Sequence, residues 1–93
     1  MALTVRWTPM ALADLNTAYE FIYADKPRAA KTVVSKILDG IDQLKNYPES
    51  GKDGRVGGTR ELFVNTTPYF IVYRVKDKTL EILAVLHSSR RWP

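Results

Sequence analysis

The sequence predicts an α+β fold of order β-α-α-β-β-β, with a helical hairpin packed on one face of a small, mainly antiparallel sheet. Two successive segments place apolar residues at helical steps and are joined by a short link, Ala24-Asp-Lys-Pro27. Residues 59–87 then hold three strand-like runs separated by turn-forming residues. A short alternating run stands ahead of the first helix. Two layers, helices on sheet, bury every one of these apolar stripes.

Leu3-Thr-Val-Arg-Trp7 alternates apolar and polar and reads as the first strand. Thr8 fits the N-cap of the first helix, with Pro9 at its first position, where a missing N–H costs nothing. Leu12, Leu15, Tyr19 and Ile22 follow at steps of three or four, which predicts a core-facing stripe over roughly 9–24. Asp25 is placed to cap the second helix, whose first turn holds Pro27. Ala30, Val34, Ile37, Ile41 and Leu44 give that helix, over roughly 27–46, a continuous apolar face. Residues 49–58 carry four glycines and read as a loop; they lack the Gly-Lys-Ser/Thr of a phosphate-binding turn.

Thr59–Val64 is the first strand of a meander, and Asn65-Thr-Thr-Pro68 turns the chain. Tyr69–Val75 is nearly all apolar or aromatic, as a central strand covered on both faces would be. Lys76-Asp-Lys78 makes a tight hairpin into Thr79–His87. Strict alternation there sends Leu80, Ile82, Ala84 and Leu86 one way, and Leu83, Val85 and His87 the other. Arg60, Arg74 and His87 are expected to collect on the helix-free face. The pattern leaves the neighbours of the first strand open.

Composition narrows the chemistry. The length, 93 residues, fits a single domain spanning residues 1–93. With no cysteine and one histidine, disulfides and thiolate sites are excluded and a His-based metal site is not expected, nor is any cofactor. No apolar run reaches membrane-spanning length, and the N-terminus lacks the pattern of a signal peptide, so a cytoplasmic protein without membrane contact is expected. The net charge of +4 is uneven: residues 49–93 hold eight Lys/Arg against five Asp/Glu, while residues 1–48 are nearly balanced. The C-terminal half is therefore the expected contact for an acidic partner. Its tail gathers His87, Arg90, Arg91 and Trp92, cations beside an aromatic.

Several blocks together resemble a known family. Trp7 with Asp14-Leu15, Asp25-Lys-Pro27, Ala29-Ala30, Pro48-x-x-Gly51, Gly58-Thr-Arg-Glu-Leu62, Pro68-Tyr-x-Ile-Val-Tyr-Arg-Val75 and Leu86-His-x-x-Arg-x-Trp-Pro93 are similar to the RelE/ParE superfamily of bacterial toxins. The resemblance runs nearly end to end and agrees with the element order. It implies a toxin of a type II toxin–antitoxin system, held in a hetero-oligomer by a cognate antitoxin. RelE-like members cut mRNA on the ribosome, whereas ParE-like members poison DNA gyrase, and the shared scaffold does not choose between them.

Metal-free RNA cleavage needs a base, an acid and cations around one phosphate. His87 is the only side chain with an ordinary pKa near neutrality. Arg74 and Arg90 would supply charge and Tyr69 or Tyr73 a proton. RelE-like nucleases, however, often carry a basic residue where this chain has Asn65, and a denser set of lysines before it. Gly-Thr-Arg-Glu-Leu and the Trp-Pro ending are closer to ParE-like sequences. The expected target-binding residues are Arg60, Arg74, His87, Arg90, Arg91 and Trp92. The antitoxin is expected on whichever of Leu12, Tyr19, Phe21, Ile22, Val33 and Ile37 stays accessible. A third reading is a non-enzymatic nucleic-acid-binding module, for which the basic half speaks and the lack of a helix-turn-helix or RRM-like stacking motif speaks against.

Overall fold

The computed structural model describes residues 2–90 and Trp92. Strand β1 (Thr4–Trp7) leads through Thr8 into helix α1 (Pro9–Tyr23), and helix α2 (Pro27–Asn46) returns antiparallel to it. A 3-10 turn (Pro48–Ser50) precedes β2 (Lys52–Asp53), β3 (Arg60–Phe63), β4 (Tyr69–Lys76) and β5 (Thr79–His87). The sheet order is β1-β5-β4-β3-β2. β1 runs parallel to β5 and the other pairs are antiparallel. The first strand is thus an edge strand beside the last. The loop expected over 49–58 contains one further strand, since Lys52 and Asp53 pair with Glu61 and Arg60.

Thr8 caps α1 as its type and place require: its hydroxyl accepts from the Ala11 N–H at 3.2 Å. The expected cap at Asp25 is not made. Lys26 occupies the N-cap position of α2 and no side chain caps there; the pre-set φ of Pro27 and the missing proline N–H leave less for a cap to do. The stripe of α2 is as expected, with Ala30, Ile37, Ile41 and Leu44 buried and Val34 half-buried. The stripe of α1 keeps Leu15 and Ile22 as expected but takes Ala11 and Ala18 in place of Leu12 and Tyr19. Ala11, Leu15, Ala18 and Ile22 pack inward, while Leu12 is exposed and Tyr19 stacks on Tyr23 along the outer side. Small alanines bring α1 close to the sheet, and counting only large apolar residues misses them.

Strict alternation along β5 fails at one residue. Val72 pairs with Ala84, but the next residue, Tyr73, pairs with Ile82, so Leu83 is an extra residue in β5. Side chains on either side of this bulge keep opposite parities. Leu80, Ile82 and Val85 join Tyr69, Ile71 and Tyr73 in the core beneath the helices, whereas Ala84 and Leu86 join Phe70 and Val72 on the other face. The bulge is tied to α1 at both ends. The Thr8 N–H and hydroxyl donate to the Ile82 carbonyl at 3.1 and 2.9 Å, and the Asp14 carboxylate accepts from the Val85 N–H at 3.1 Å.

The turn after α2 is fixed by Tyr73, whose side chain is fully buried. Its hydroxyl donates to the Pro48 carbonyl at 2.7 Å and accepts from the Gly51 N–H at 2.9 Å. A Cβ at Gly51 would lie 2.4 Å from that hydroxyl and 2.9 Å from the Glu61 carbonyl. Glycine is required there by proximity, since its φ of −78° is open to any residue. Gly51→Ala should lower stability by about 1–3 kcal/mol through overpacking. Urea denaturation of the two proteins measures it, and an unchanged midpoint would mean that Tyr73 and the turn separate at no cost.

Candidate functional site

The residues singled out from the sequence do not meet in one place. Parity puts Arg74 on the helix-free face, opposite Glu81. Arg60 pairs with Tyr73 and shares its face, toward the helices. His87 is likewise on the helix side, beyond the bulge, where it meets Tyr69 edge-on at 5.3 Å between ring centroids. The expectation that Arg60, Arg74 and His87 gather on the helix-free face is therefore corrected for Arg60 and His87. Arg91 lies outside the described residues.

His87 and Arg90 line a cleft of about 480 Å³ between α1 and the end of β5. Its walls include Asp14, Ala18, Phe21 and Tyr69. The His87 Nδ1 accepts from the Ser89 N–H at 3.1 Å and sits 2.7 Å from the Ser89 hydroxyl. A backbone N–H only donates, so the neutral ring carries its proton on Nε2. Arg74 is remote from this place. His87 stands opposite Tyr69, and Arg74 is five residues further along β4, roughly 17 Å at strand rise. No single phosphate reaches both. The two tyrosines also leave this chemistry alone. Burial raises the pKa of Tyr69. Burial raises that of Tyr73 as well, against the opposing Gly51 hydrogen bond and Arg60 charge. The Tyr73 proton is already committed to Pro48.

The helix-free face is closed at its centre. Phe70, Val72, Ala84 and Leu86 form a second buried cluster, and Leu83 and Trp92 pack against it. Trp92 is thus a cover for the apolar face. Arg55, from the glycine-rich segment 49–58, lies over the Phe70 ring at 5.3 Å. Its backbone N–H donates to the Glu61 carboxylate at 3.1 Å, and its guanidinium is 3.5 Å from the same group. The middle of this face is apolar, with one buried acid held by Arg55.

The exposed charge sits at the other end of the sheet. Glu81 on β5 is bracketed by Arg6 of β1 and Arg74 of β4, at 2.7 and 2.5 Å. Arg6 was missed because its partner depends on β1 lying beside β5, which periodicity alone does not reveal. The Arg74 hydrogen bond, helped by the charges of Arg74, Arg6 and Lys76, holds the Glu81 carboxyl below the usual carboxylate range against its desolvation. A lowered folded pKa contributes stability that is fully present above the ordinary carboxylate pKa and is lost as pH falls through the lowered value. Glu81→Gln should therefore be less stable than the parent at pH 7, with the gap narrowing below about pH 4. Thermal melts across that range would show it, and a gap constant with pH would contradict it.

Of the residues expected to hold an antitoxin, Phe21 is 73% exposed and Leu12 47% exposed, while Tyr19, Ile22 and Val33 are half-buried. Ile37 is fully buried in the core and is removed from that set. Among the described residues, no group of His, Asp and Glu side chains could hold a metal ion, and no helix is long and apolar enough to cross a membrane.

Known proteins share both sequence and fold with this chain. The Sinorhizobium fredii protein Y4kP is 43% identical over 89 residues, covering 96% of this chain and 92% of its own length. The toxin RelE2 of Caulobacter vibrioides is 36% identical, covering 92% of this chain and 96% of its own. A solved structure of the chromosomal ParDE toxin–antitoxin system from P. aeruginosa superposes with a TM-score of 0.85 at 27% identity, over 92% of this chain and 96% of that one. The family model described as the ParE toxin of the type II toxin–antitoxin system parDE matches residues 5–92, so the chain belongs to the ParE toxin family, on the RelE/ParE fold.

Proposed function

We propose that this toxin inhibits growth by poisoning DNA gyrase, as a ParE-like rather than a RelE-like member, and that a cognate antitoxin neutralises it in the cytoplasm. The observation that carries the choice is the separation of His87 from Arg74. A ribonuclease needs base, acid and cation around one scissile phosphate. Here Arg90 shares a cleft with His87, but Arg74 stands at the opposite end of β4 and is engaged by Glu81, so the expected set does not converge. The centre of the helix-free face, where a strand of RNA would lie flat on the sheet, is occupied by Phe70, Val72, Leu86 and the covering Trp92. A surface of this kind suits binding better than proton transfer. Similarity to a toxin from a ParDE system supports the same side.

We infer that the antitoxin docks on the helical hairpin, where Phe21 and Leu12 are exposed on opposite flanks of α1 and Tyr19, Ile22 and Val33 are partly covered, as apolar anchors for a segment that folds on contact. The resulting assembly is a toxin–antitoxin hetero-oligomer, as the ParDE system is for its own toxin.

The decisive assay runs purified protein against gyrase with plasmid DNA and, in parallel, against translating ribosomes with mRNA. Gyrase-dependent DNA breaks are expected; ribosome-dependent mRNA cleavage would replace this reading with the RelE-like one. A single substitution gives the same answer in cells. Gln keeps the hydrogen-bonding capacity of His87 without its titration, so His87→Gln should keep killing a sensitive host with at most a modest loss. A nuclease using His87 would lose on the order of 10²–10⁴ in rate. Loss of killing by a folded, normally abundant His87→Gln protein therefore favours the nuclease.

The cationic tail is the proposed contact with the target. Arg90 is exposed and carries none of the core. Arg90→Ala with Arg91→Ala should reduce growth inhibition and leave the melting temperature within a few degrees of the parent. Full inhibition by the double variant would take these two residues out of the mechanism.

A further inference from the structure

We propose that Arg6 and Arg74, side by side on the helix-free face, together with Arg60, which comes from the helix-facing side of β3 into a cleft shared with Arg74, bind the phosphate backbone of duplex DNA at one end of the sheet. Arg6 and Arg74 hold the two oxygens of the Glu81 carboxylate, one each, so they sit side by side. Arg60 donates to the Gly51 carbonyl at 2.8 Å. Arg60 and Arg74 then line one cleft of about 330 Å³ with Pro48, Glu49, Gly58 and Val75.

One cation neutralises the charge of Glu81, although each of its oxygens takes a donor of its own. Glu81 has two, and both keep much of their surface in solvent, with 61% of the Arg6 side chain and 46% of the Arg74 side chain exposed. The pair with Glu81 therefore carries a net positive charge. Each guanidinium has five N–H donors and spends only part of them on its protein acceptor. What remains is a set of oriented forks, the geometry that takes phosphate oxygens two at a time. Holding arginines in place before contact removes much of the side-chain entropy that binding would otherwise cost. Glu81 is thus a positioning residue, and the arginines are the contacts.

Duplex DNA is favoured over a single strand by what the cleft lacks. Single-strand sites pair cations with aromatic rings for base stacking. The lining between Arg60 and Arg74 contains no aromatic ring. A duplex, with one negative charge per about 1.7 Å of axis, presents a regular backbone that needs only cations at strand spacing. The inference rests on this geometry and is independent of the gyrase reading; the assay below contains no gyrase, so the two fail separately.

The test is fluorescence anisotropy with a labelled random-sequence DNA duplex of about 20 base pairs, from 50 to 200 mM NaCl. Arg6→Gln and Arg60→Gln leave the Arg74–Glu81 pair intact, which protects the fold. Each should weaken binding several-fold and reduce the slope of log K against log salt by about 0.9, the signature of one lost phosphate contact. Lys31→Gln, which removes an exposed cation from α2, is the comparator and should leave the slope unchanged. Glu81→Gln adds one positive charge to the protein. Diffuse attraction predicts tighter binding for it, whereas a positioned set of arginines predicts binding several-fold weaker. No binding by the parent at 50 mM salt would overturn the proposal. Equal slope losses for Lys31→Gln and Arg6→Gln would overturn it, as would tighter binding by Glu81→Gln. Competition by polyglutamate as effective, charge for charge, as competition by unlabelled duplex would also overturn it, since the surface would then be one for an acidic protein.

Discussion

The distribution of chemistry over this molecule depends on one extra residue, Leu83. In a strand, side chains alternate with period two, so a single insertion exchanges the faces of everything beyond it. Before the bulge, Leu80 and Ile82 point under the helices; beyond it, Val85 and His87 do, and Ala84 and Leu86 point away. An inserted residue disturbs the ladder, and a buried polar group left unpaired costs about 1–3 kcal/mol. Thr8 and Asp14 meet that demand from the start of α1, at Ile82 and at Val85. The helix cap and the bulge are therefore one device. The same Thr8 that begins α1 also ends the parallel pairing of β1 with β5, and α1 crosses the sheet where β1 stops.

The sheet buries two acids, and resolves each differently. Glu61 is closed off beneath Arg55, which also covers Phe70 and donates to the Trp92 carbonyl at 3.4 Å. That arrangement seals the centre of the helix-free face, with 44% of the Arg55 side chain still exposed. Glu81 lies at the sheet's end between two arginines that remain open to solvent. One cation balances the charge of Glu61, whereas the two at Glu81 leave a net positive charge at the surface.

Much of the architecture was readable because local signals and the global fold agree. Thr8-Pro9 starts a helix by capping and by the fixed φ of proline, and both effects operate locally. The two-residue turn at Asp77 and Lys78, both at positive φ, follows from the closeness of two strong strand patterns. What the sequence concealed depends on contacts between distant segments. Two of the four α1 positions differ, because Ala11 and Ala18, which contribute little hydrophobicity, fit the close approach better than Leu12 and Tyr19, while Leu15 and Ile22 pack inward as their spacing predicts. The short strand at Lys52–Asp53 exists only because β3 is there to pair with it. The candidate site suffered most. Its grouping assumed unbroken alternation for His87 and a different β3–β4 register for Arg60, which pairs with Tyr73, and Arg6 entered only through the neighbour relation of β1 and β5.

The separation of these groups also bears on how one scaffold can serve two kinds of toxin. Catalysis requires convergence: a misplacement of about 1 Å can cost a hundredfold in rate. Binding a large target requires only complementarity spread over a surface, with a few anchors. Here His87 and Arg90 lie at one end of the β4–β5 pair and Arg6 and Arg74 at the other, with an apolar, covered face between them. The length of β4 separates the two sets along the sheet, and the bulge turns His87 to the face opposite Arg74. The bulge that turns His87 away from Arg74 is held by Thr8 and Asp14, the same residues that start α1 and dock it on the sheet.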